Sequence, residues 1–436
     1  MPLRNLAHLP LLAILFVSFN TLSAQYVIDE YYQQGELKYE DHIYKAGIRT
    51  PRFHPITNEM GMPIIKFGGS EQLVLTFDDL YADYMNLSYT FVHCNADWTP
   101  SGLMPQEYLG NRQDAYIQNY EYSLNTFFSY TNYALTIPNE QMSFKKSGNY
   151  VLIVYANDDR KDLVLTRRFM IYEDKVQAGG IVKRATMVEY MNQRQEIDFF
   201  VSHGTYPIPN PFEDLKVHLM QNQRWDNAIT NLKPQFIQNQ KFLYNYDREN
   251  TFDGNSEYRF FDLKNLRSLS QNVSRVQQDS VFTAFLTTDK PRTIERYAVW
   301  PDINGQFVVR RLDATSSTTE ADYVYVDFML EAPAPFESGD VYVFGKLSDW
   351  KLLREFKMKY DYTRNAYKAR IPLKQGYYNF MYATLDKSQS KADLSEVEGT
   401  HWETENTYQI LVYHREVGQR YDRLVGFAEL TSEDLY

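Results

Sequence analysis

A chain of 436 residues with 44% hydrophobic and 23% charged residues is neither fibrous nor disordered in composition, and its length suits about three domains. Its 56 acidic and 45 basic residues leave a net charge of −11, and the sequence shows no basic patch of the kind a phosphate backbone requires, so nucleic acid is not an expected partner. The 36 tyrosines and 27 phenylalanines favour strands, because a ring packs well on a pleated, half-buried surface, and the expected fold class is all-β.

The N-terminal stretch "MPLRNLAHLPLLAILFVSFNTLSAQ" places Arg4 ahead of an apolar run from Leu9 to Phe19, with small Ser23 and Ala24 before Gln25. That run is too short to cross a bilayer comfortably and reads as a secretory signal over residues 1–24, cleaved after Ala24; an uncleaved anchor is the alternative. No later segment offers ~18 consecutive apolar residues. Cys94 is the single cysteine, so there is no intramolecular disulfide and no thiol placed after the apolar run to acylate. The expectation is a protein exported to the periplasm, held to a membrane only through a partner.

Residues 25–174 read as a first β-sandwich. "EQLVLTFDDL" puts Leu73, Leu75 and Phe77 on one face, and "GNYVLIVYAND" and "LVLTRRFMIYED" flank the polar turn "NDDRKD" as a hairpin. Cys94 ends the alternating run "NLSYTFVHCNADW" and reads as a small packed residue. The stretch "MPQEYLGNRQDAYIQNYEYSLNTFFSYTNY" interrupts the pattern and reads as an extended hairpin or insertion; loops of this length in compact domains are often functional. Tyr is enriched at interfaces, so Tyr116, Tyr120, Tyr122, Phe127, Phe128, Tyr130 and Tyr133 are candidate contact residues, with plain sheet packing as the competing explanation.

A middle sandwich is expected over 175–312, from "VQAGGIVKRA" through "QEIDFFVSHG", "LKVHLMQN" and "SVFTAFLTTD", stiffened by Pro207, Pro209 and Pro211. "DATSSTTEAD" at 313–322 is small, polar and without periodicity, hence a linker. The remainder, 323–436, repeats strand and turn at about ten-residue spacing and completes a tandem array of immunoglobulin-like or early-set β-sandwiches.

Little in the chain advertises chemistry. Seven histidines beyond the leader are scattered without metal-ligand spacing. Asp78–Asp79 and Asp158–Asp159 are neighbours on strands or turns, where adjacent side chains point to opposite faces, whereas glycoside hydrolysis needs two carboxyls on one sugar. A nucleophile elbow, a P-loop and a glycine-rich phosphate cradle are all missing from the sequence. No enzyme activity, cofactor, metal or small-molecule substrate is expected.

Within the last block, "GDVYVFGKLSDWK" and "IPLKQGYYNFMYATLDK" resemble the early-set sandwich of starch- and glycogen-binding modules, which makes Trp350 a candidate glycan-stacking residue. The second Trp and the Lys of that pattern are replaced by Gln389 and Asn379, so a packing role for Trp350 is the stronger reading. Four longer stretches, "YTFVHCNADWTPSGLMPQEYLG", "NYEYSLNTFFSYTNYALTIPN", "DRENTFDGNSEYRFFDLKNLRSLSQNV" and "GTHWETENTYQILVYHREVGQRYDRLVGFAEL", resemble the plug protein family of the type IX secretion system of Bacteroidota. That resemblance spans about residues 25–430. It implies a periplasmic protein that binds a very large outer-membrane translocon barrel and seals its periplasmic opening when no substrate is passing. A glycan-binding envelope protein is the runner-up, and a hydrolase of envelope polysaccharide the third reading. The acidic end "FAELTSEDLY" lacks the glycine-rich, basic pattern of the system's cargo, which argues for machinery over cargo.

Overall fold

The computed structural model describes residues 31–32, 35–386 and 391–432. The expected signal at 1–24, Gln389 and the last four residues lie outside the described residues. Among the described residues the regular structure is nearly all strand, and the helices are of three or four residues. No helix among the described residues is long and apolar enough to cross a membrane.

In the first sandwich, one sheet is built from Leu87–Cys94, Gly148–Ala156 and Leu163–Tyr172, edged by His42–Ile43 and Asp114–Tyr116, with Ile64–Lys66 joined in parallel to Leu163–Tyr172. The facing sheet runs Ile48–Pro55, Leu73–Asp79, Thr131–Ile137 and Asn119–Tyr122. The alternation read in the sequence holds: Leu73, Leu75 and Phe77 meet Tyr150, Leu152 and Val154 in the core. Gly148–Ala156 is nevertheless buried at every position. Its other face, Val151, Ile153 and Tyr155, is roofed by Tyr44 and the half-buried Leu37 and Tyr39, and Cys94 is packed in that same layer.

The second sandwich is not contiguous in sequence. Gln177–Arg184, Arg194–Ser202, Lys241–Tyr244 and Phe236–Gln238 form one sheet. The facing sheet takes Ile229–Leu232 and Leu215–Gln221 from the same stretch, but Thr407–His414 and Arg423–Thr431 from the C-terminal end. Leu215 pairs with His414 and Gln221 with Tyr408, a register that sets Leu215, Val217 and Leu219 beside Tyr408, Ile410 and Val412 in one core. The division at 312/323 is therefore corrected: the last two strands close the middle sandwich, and the third is inserted within it.

That third sandwich spans roughly the strands from Arg259 to Asp393. Gly376–Asp386 pairs with Arg259–Asp262, Phe307–Val309, Val341–Phe344 and Lys391–Asp393; facing it are Val273–Gln278, Phe282–Leu286, Tyr323–Glu331, Ala366–Lys374 and Lys359–Asp361, in that order. Segment 313–322 is consequently not a linker between domains, because Phe307–Val309 and Tyr323–Glu331 on its two sides belong to the same sandwich. It carries one helical turn, Ser317–Glu320. The cores of the first and third sandwiches merge into one apolar cluster, whereas the second keeps its own.

Candidate functional site

The tyrosine-rich insertion divides between two roles. Asp114–Tyr116 lies at the edge of one sheet of the first sandwich and Asn119–Tyr122 at the edge of the other, so the chain crosses between layers at residues 117–118, where Ile117 is buried. Tyr133, opposite Tyr120, is fully buried, stacks on Phe77 at 5.4 Å between ring centroids, and accepts the Met85 amide at 2.7 Å. Its ring is core.

Residues 123–130 form a clasp onto the third sandwich. The Asp322 carboxylate accepts the amides of Phe127 at 2.7 Å and Phe128 at 3.0 Å, and the Leu124 amide donates to the Thr319 carbonyl at 2.9 Å. Tyr130 is buried; its hydroxyl donates to the carbonyls of Ala321 at 2.8 Å and Thr318 at 3.1 Å. Phe128 packs edge-on against Tyr323 and Tyr325, and Phe127 against Phe282. Beneath the clasp, Lys374 and Asp78 form a buried ion pair at 2.6 Å, to which Tyr323 and Asn132 add hydrogen bonds at 2.7 Å. Burial pushes the Lys374 ammonium below its ordinary pKa, against the pull of Asp78. This polar set holds the first sandwich in register with the third.

The insertion leaves four aromatic side chains in solvent, and Tyr120 and Tyr122 among them form an aromatic patch with Tyr84. Tyr116, Tyr120, Tyr122 and Phe127 remain 40–55% exposed. Sequence reasoning missed three further exposed side chains: Tyr81 and Tyr84, on the turn after Leu73–Asp79, and Leu124, exposed by 71%, 53% and 60%. Tyr84 meets Tyr120 at 5.0 Å, and Tyr120 meets Tyr122 at 5.8 Å. The strand beneath, Asn119–Tyr122, is exposed at all four positions and is the outer strand of its sheet. The "FDDLYADY" run held the missing signal, two tyrosines just past a strand end, but only the pairing of strands in the sheet brings Tyr84 beside Tyr120.

Trp350 is closed to a sugar. It is 6% exposed, packed edge-on against Phe344 and Tyr258, with the guanidinium of Arg224 from the second sandwich 4.9 Å from its ring centroid. A Cβ at Gly305 would lie 2.3 Å from the ring, so the turn at 305, with φ of +76°, leaves no gap beside it. Asn379 does not project either: it is fully buried, and its Oδ1 accepts the amides of Ile303 at 2.6 Å and Gly305 at 3.4 Å.

The titratable groups are structural in their surroundings. Burial pushes the Cys94 thiol up to about 12, so it stays protonated, and pushes His93 and His218 down to about 4, so both rings are neutral at pH 7. Asp78 is committed to Lys374, while the Asp79 carboxylate accepts the Tyr81 amide at 3.2 Å. Among the described residues, no group of three or more His, Cys, Asp or Glu is disposed to hold a metal ion.

Residues 48–173, the first sandwich with its insertion, match the family model described as type 9 secretion system plug protein, first domain. A crystal structure of a hypothetical protein from Parabacteroides merdae is similar over almost the whole chain, with 33% identity, a TM-score of 0.87, and coverage of 91% of this chain and 100% of that one. No curated protein matches the chain.

Proposed function

Because the chain belongs to the type 9 secretion system plug protein family, we propose that it is a non-enzymatic periplasmic protein that seats against the system's outer-membrane barrel and obstructs its periplasmic opening when no substrate is passing. The observation that carries this reading is the match of the family's plug domain to the sandwich that bears the exposed aromatic patch. An obstruction has to be rigid and removable. Rigidity follows from the merged core of the first and third sandwiches and from the clasp between them. Removability requires a contact of modest strength, since a plug held by a large apolar interface would clear too slowly. Tyrosines fit that demand, because each ring offers apolar area and each hydroxyl keeps a hydrogen bond with water when the contact opens.

The test is recovery of partners from solubilised outer membranes on the full chain carrying a C-terminal tag. One very large barrel protein should come down with the native chain, and at least about tenfold less with the triple change Tyr116→Ala, Tyr120→Ala and Tyr122→Ala, given that a few aromatic anchors carry most of an interface's energy. If no barrel is recovered with the native chain, the plug reading fails. If the barrel is recovered equally well by the triple variant, the patch is not the seat.

A further inference from the structure

On the third sandwich, far in sequence from the aromatic patch, the outer face of the sheet bearing Tyr323–Glu331 holds a groove of about 830 Å³. Five cations line it, Arg275, Lys359, Arg364, Lys368 and Arg370, against a single carboxylate, Asp327. Arg370 neutralises Asp327 through paired contacts at 2.6 and 2.8 Å, and Lys368 is matched by Asp361 at 2.5 Å. Arg275, Lys359 and Arg364 are exposed, and none has a carboxylate within ion-pair distance among the described residues. Three uncompensated cations in one groove are unexpected on a chain of net charge −11, where acidic neighbours are abundant.

Two further features describe what would fit. The floor is apolar, with half-buried Phe285 and Met329 between the cations. The Arg275 guanidinium sits 3.9 Å from the centroid of the Phe285 ring. A ring on one face fixes the guanidinium plane while leaving its in-plane N–H fork free, which is the geometry that takes a carboxylate by two parallel hydrogen bonds. The cations are also spread out. Arg275 lies on one edge strand, Val273–Gln278, and Lys359 on the opposite edge strand, Lys359–Asp361. Four strand spacings of ~4.8 Å separate them by ~19 Å, the length of about six extended residues. A single phosphate or a small anion cannot bridge that span. A dense polyanion would not use the apolar floor.

We propose that this groove docks an extended acidic segment of a partner protein, its carboxylates on Arg275, Arg364 and Lys359 and its apolar side chains on Phe285 and Met329. The site is separate from the aromatic patch and does not depend on the plug reading.

The test uses the full chain and a fluorescein-labelled peptide, Glu-Leu-Glu-Phe-Glu-Leu-Glu, followed by fluorescence anisotropy, with the Lys-for-Glu peptide, inorganic phosphate and phosphatidylglycerol vesicles as separate probes. The acidic peptide is expected to bind saturably, to weaken as salt shortens the screening length, and to bind at least about tenfold more weakly to the double variant Arg275→Glu, Arg364→Glu. Both positions are exposed, so an unchanged melting curve confirms that the variant is folded. Absence of saturable binding, or equal binding by native and variant chains, overturns the proposal. Binding of vesicles or phosphate that the variant loses, without binding of the peptide, also overturns it and assigns the groove to an anionic headgroup.

Discussion

Glu257 is a carboxylate that this fold takes out of water with no cation at ion-pair distance among the described residues. It is 1% exposed at the junction of the second and third sandwiches and accepts the Tyr297 hydroxyl and the Glu405 amide. Burial pushes its carboxyl up to about 7; those two hydrogen bonds oppose the shift, and the nearby carboxylates of Asp302 and Glu405 add to it. Asp302 is pushed up as well, first by burial. A group with a raised folded pKa binds its proton more tightly in the native state. Its contribution is complete below the ordinary carboxylate pKa of about 4 and is lost as pH climbs through the folded value. The protein should therefore lose on the order of 1–3 kcal/mol between about pH 5 and 8, and Glu257→Gln should flatten much of that slope. Denaturant melts of both chains at a series of pH values would show it; parallel profiles would refute the assignment. Glu398 behaves in the opposite sense. Burial pushes it up, but the guanidiniums of Arg259 and Arg292 outweigh that and hold its carboxyl below the ordinary range, so its contribution fails only in strong acid.

At the scale of an element, the insertion shows how one stretch supplies both cement and surface. Tyr130 and Tyr133 are buried, whereas Tyr116, Tyr120 and Tyr122 stand in solvent, although all five share one composition. The anchor is Asp322, which receives the amides of Phe127, Phe128 and its neighbour Tyr323. Replacing it by alanine leaves three amides without their acceptor, at about 1–3 kcal/mol for each one that stays buried. Asp322→Ala should speed hydrogen exchange at residues 124–130 well beyond any change in the central strand Gly148–Ala156. Exchange that stays slow at 124–130 would mean that Tyr130 and the aromatic contacts alone hold the clasp. Since the exposed tyrosines lie just ahead of that clasp, the same variant links the order of the loop to recovery of the barrel.

The whole molecule is one chain threaded out of the second sandwich, through the third and back. Leu215–Gln221 finds its partner Thr407–His414 about 190 residues later by sequence position. Removing everything after Gly399 should therefore unfold the second sandwich, although residues 175–253 are intact, because Leu215, Val217 and Leu219 lose Tyr408, Ile410 and Val412 from their core. Limited proteolysis should cut the truncated chain within 177–253 while sparing the merged core of the first and third sandwiches. Resistance across 177–253 would contradict the threaded topology. The salt link of Glu173 to Arg423 at 2.6 Å, and Asp422 shared by Lys216, Arg415 and the Ala96 amide, show why the returning strands also matter to the first sandwich.

Much of this was legible from local pattern. Alternation at Leu73, Leu75 and Phe77, the hairpin around "NDDRKD", and the packed Cys94 each depend on nearest neighbours along a strand, and a period of two survives into any sheet that the strand joins. The all-β class and the family resemblance were readable for the same reason: composition and long strings of residues belong to the chain itself. Which strands pair does not, because an alternating run can satisfy its hydrogen bonds against any edge of suitable register. Hence the tail reads as part of the third sandwich yet closes the second, and the small polar run at 313–322, which looks like a linker, is the clasp's receiving side. The same limit applies to the surfaces. Sequence by itself determined that the chain is a strand-rich, acidic member of its family; tertiary structure alone decided that Trp350 is buried, that Tyr84 stands beside Tyr120, and that Arg275 and Lys359 face one groove, because exposure and proximity are properties of sheets packed together and not of any one strand.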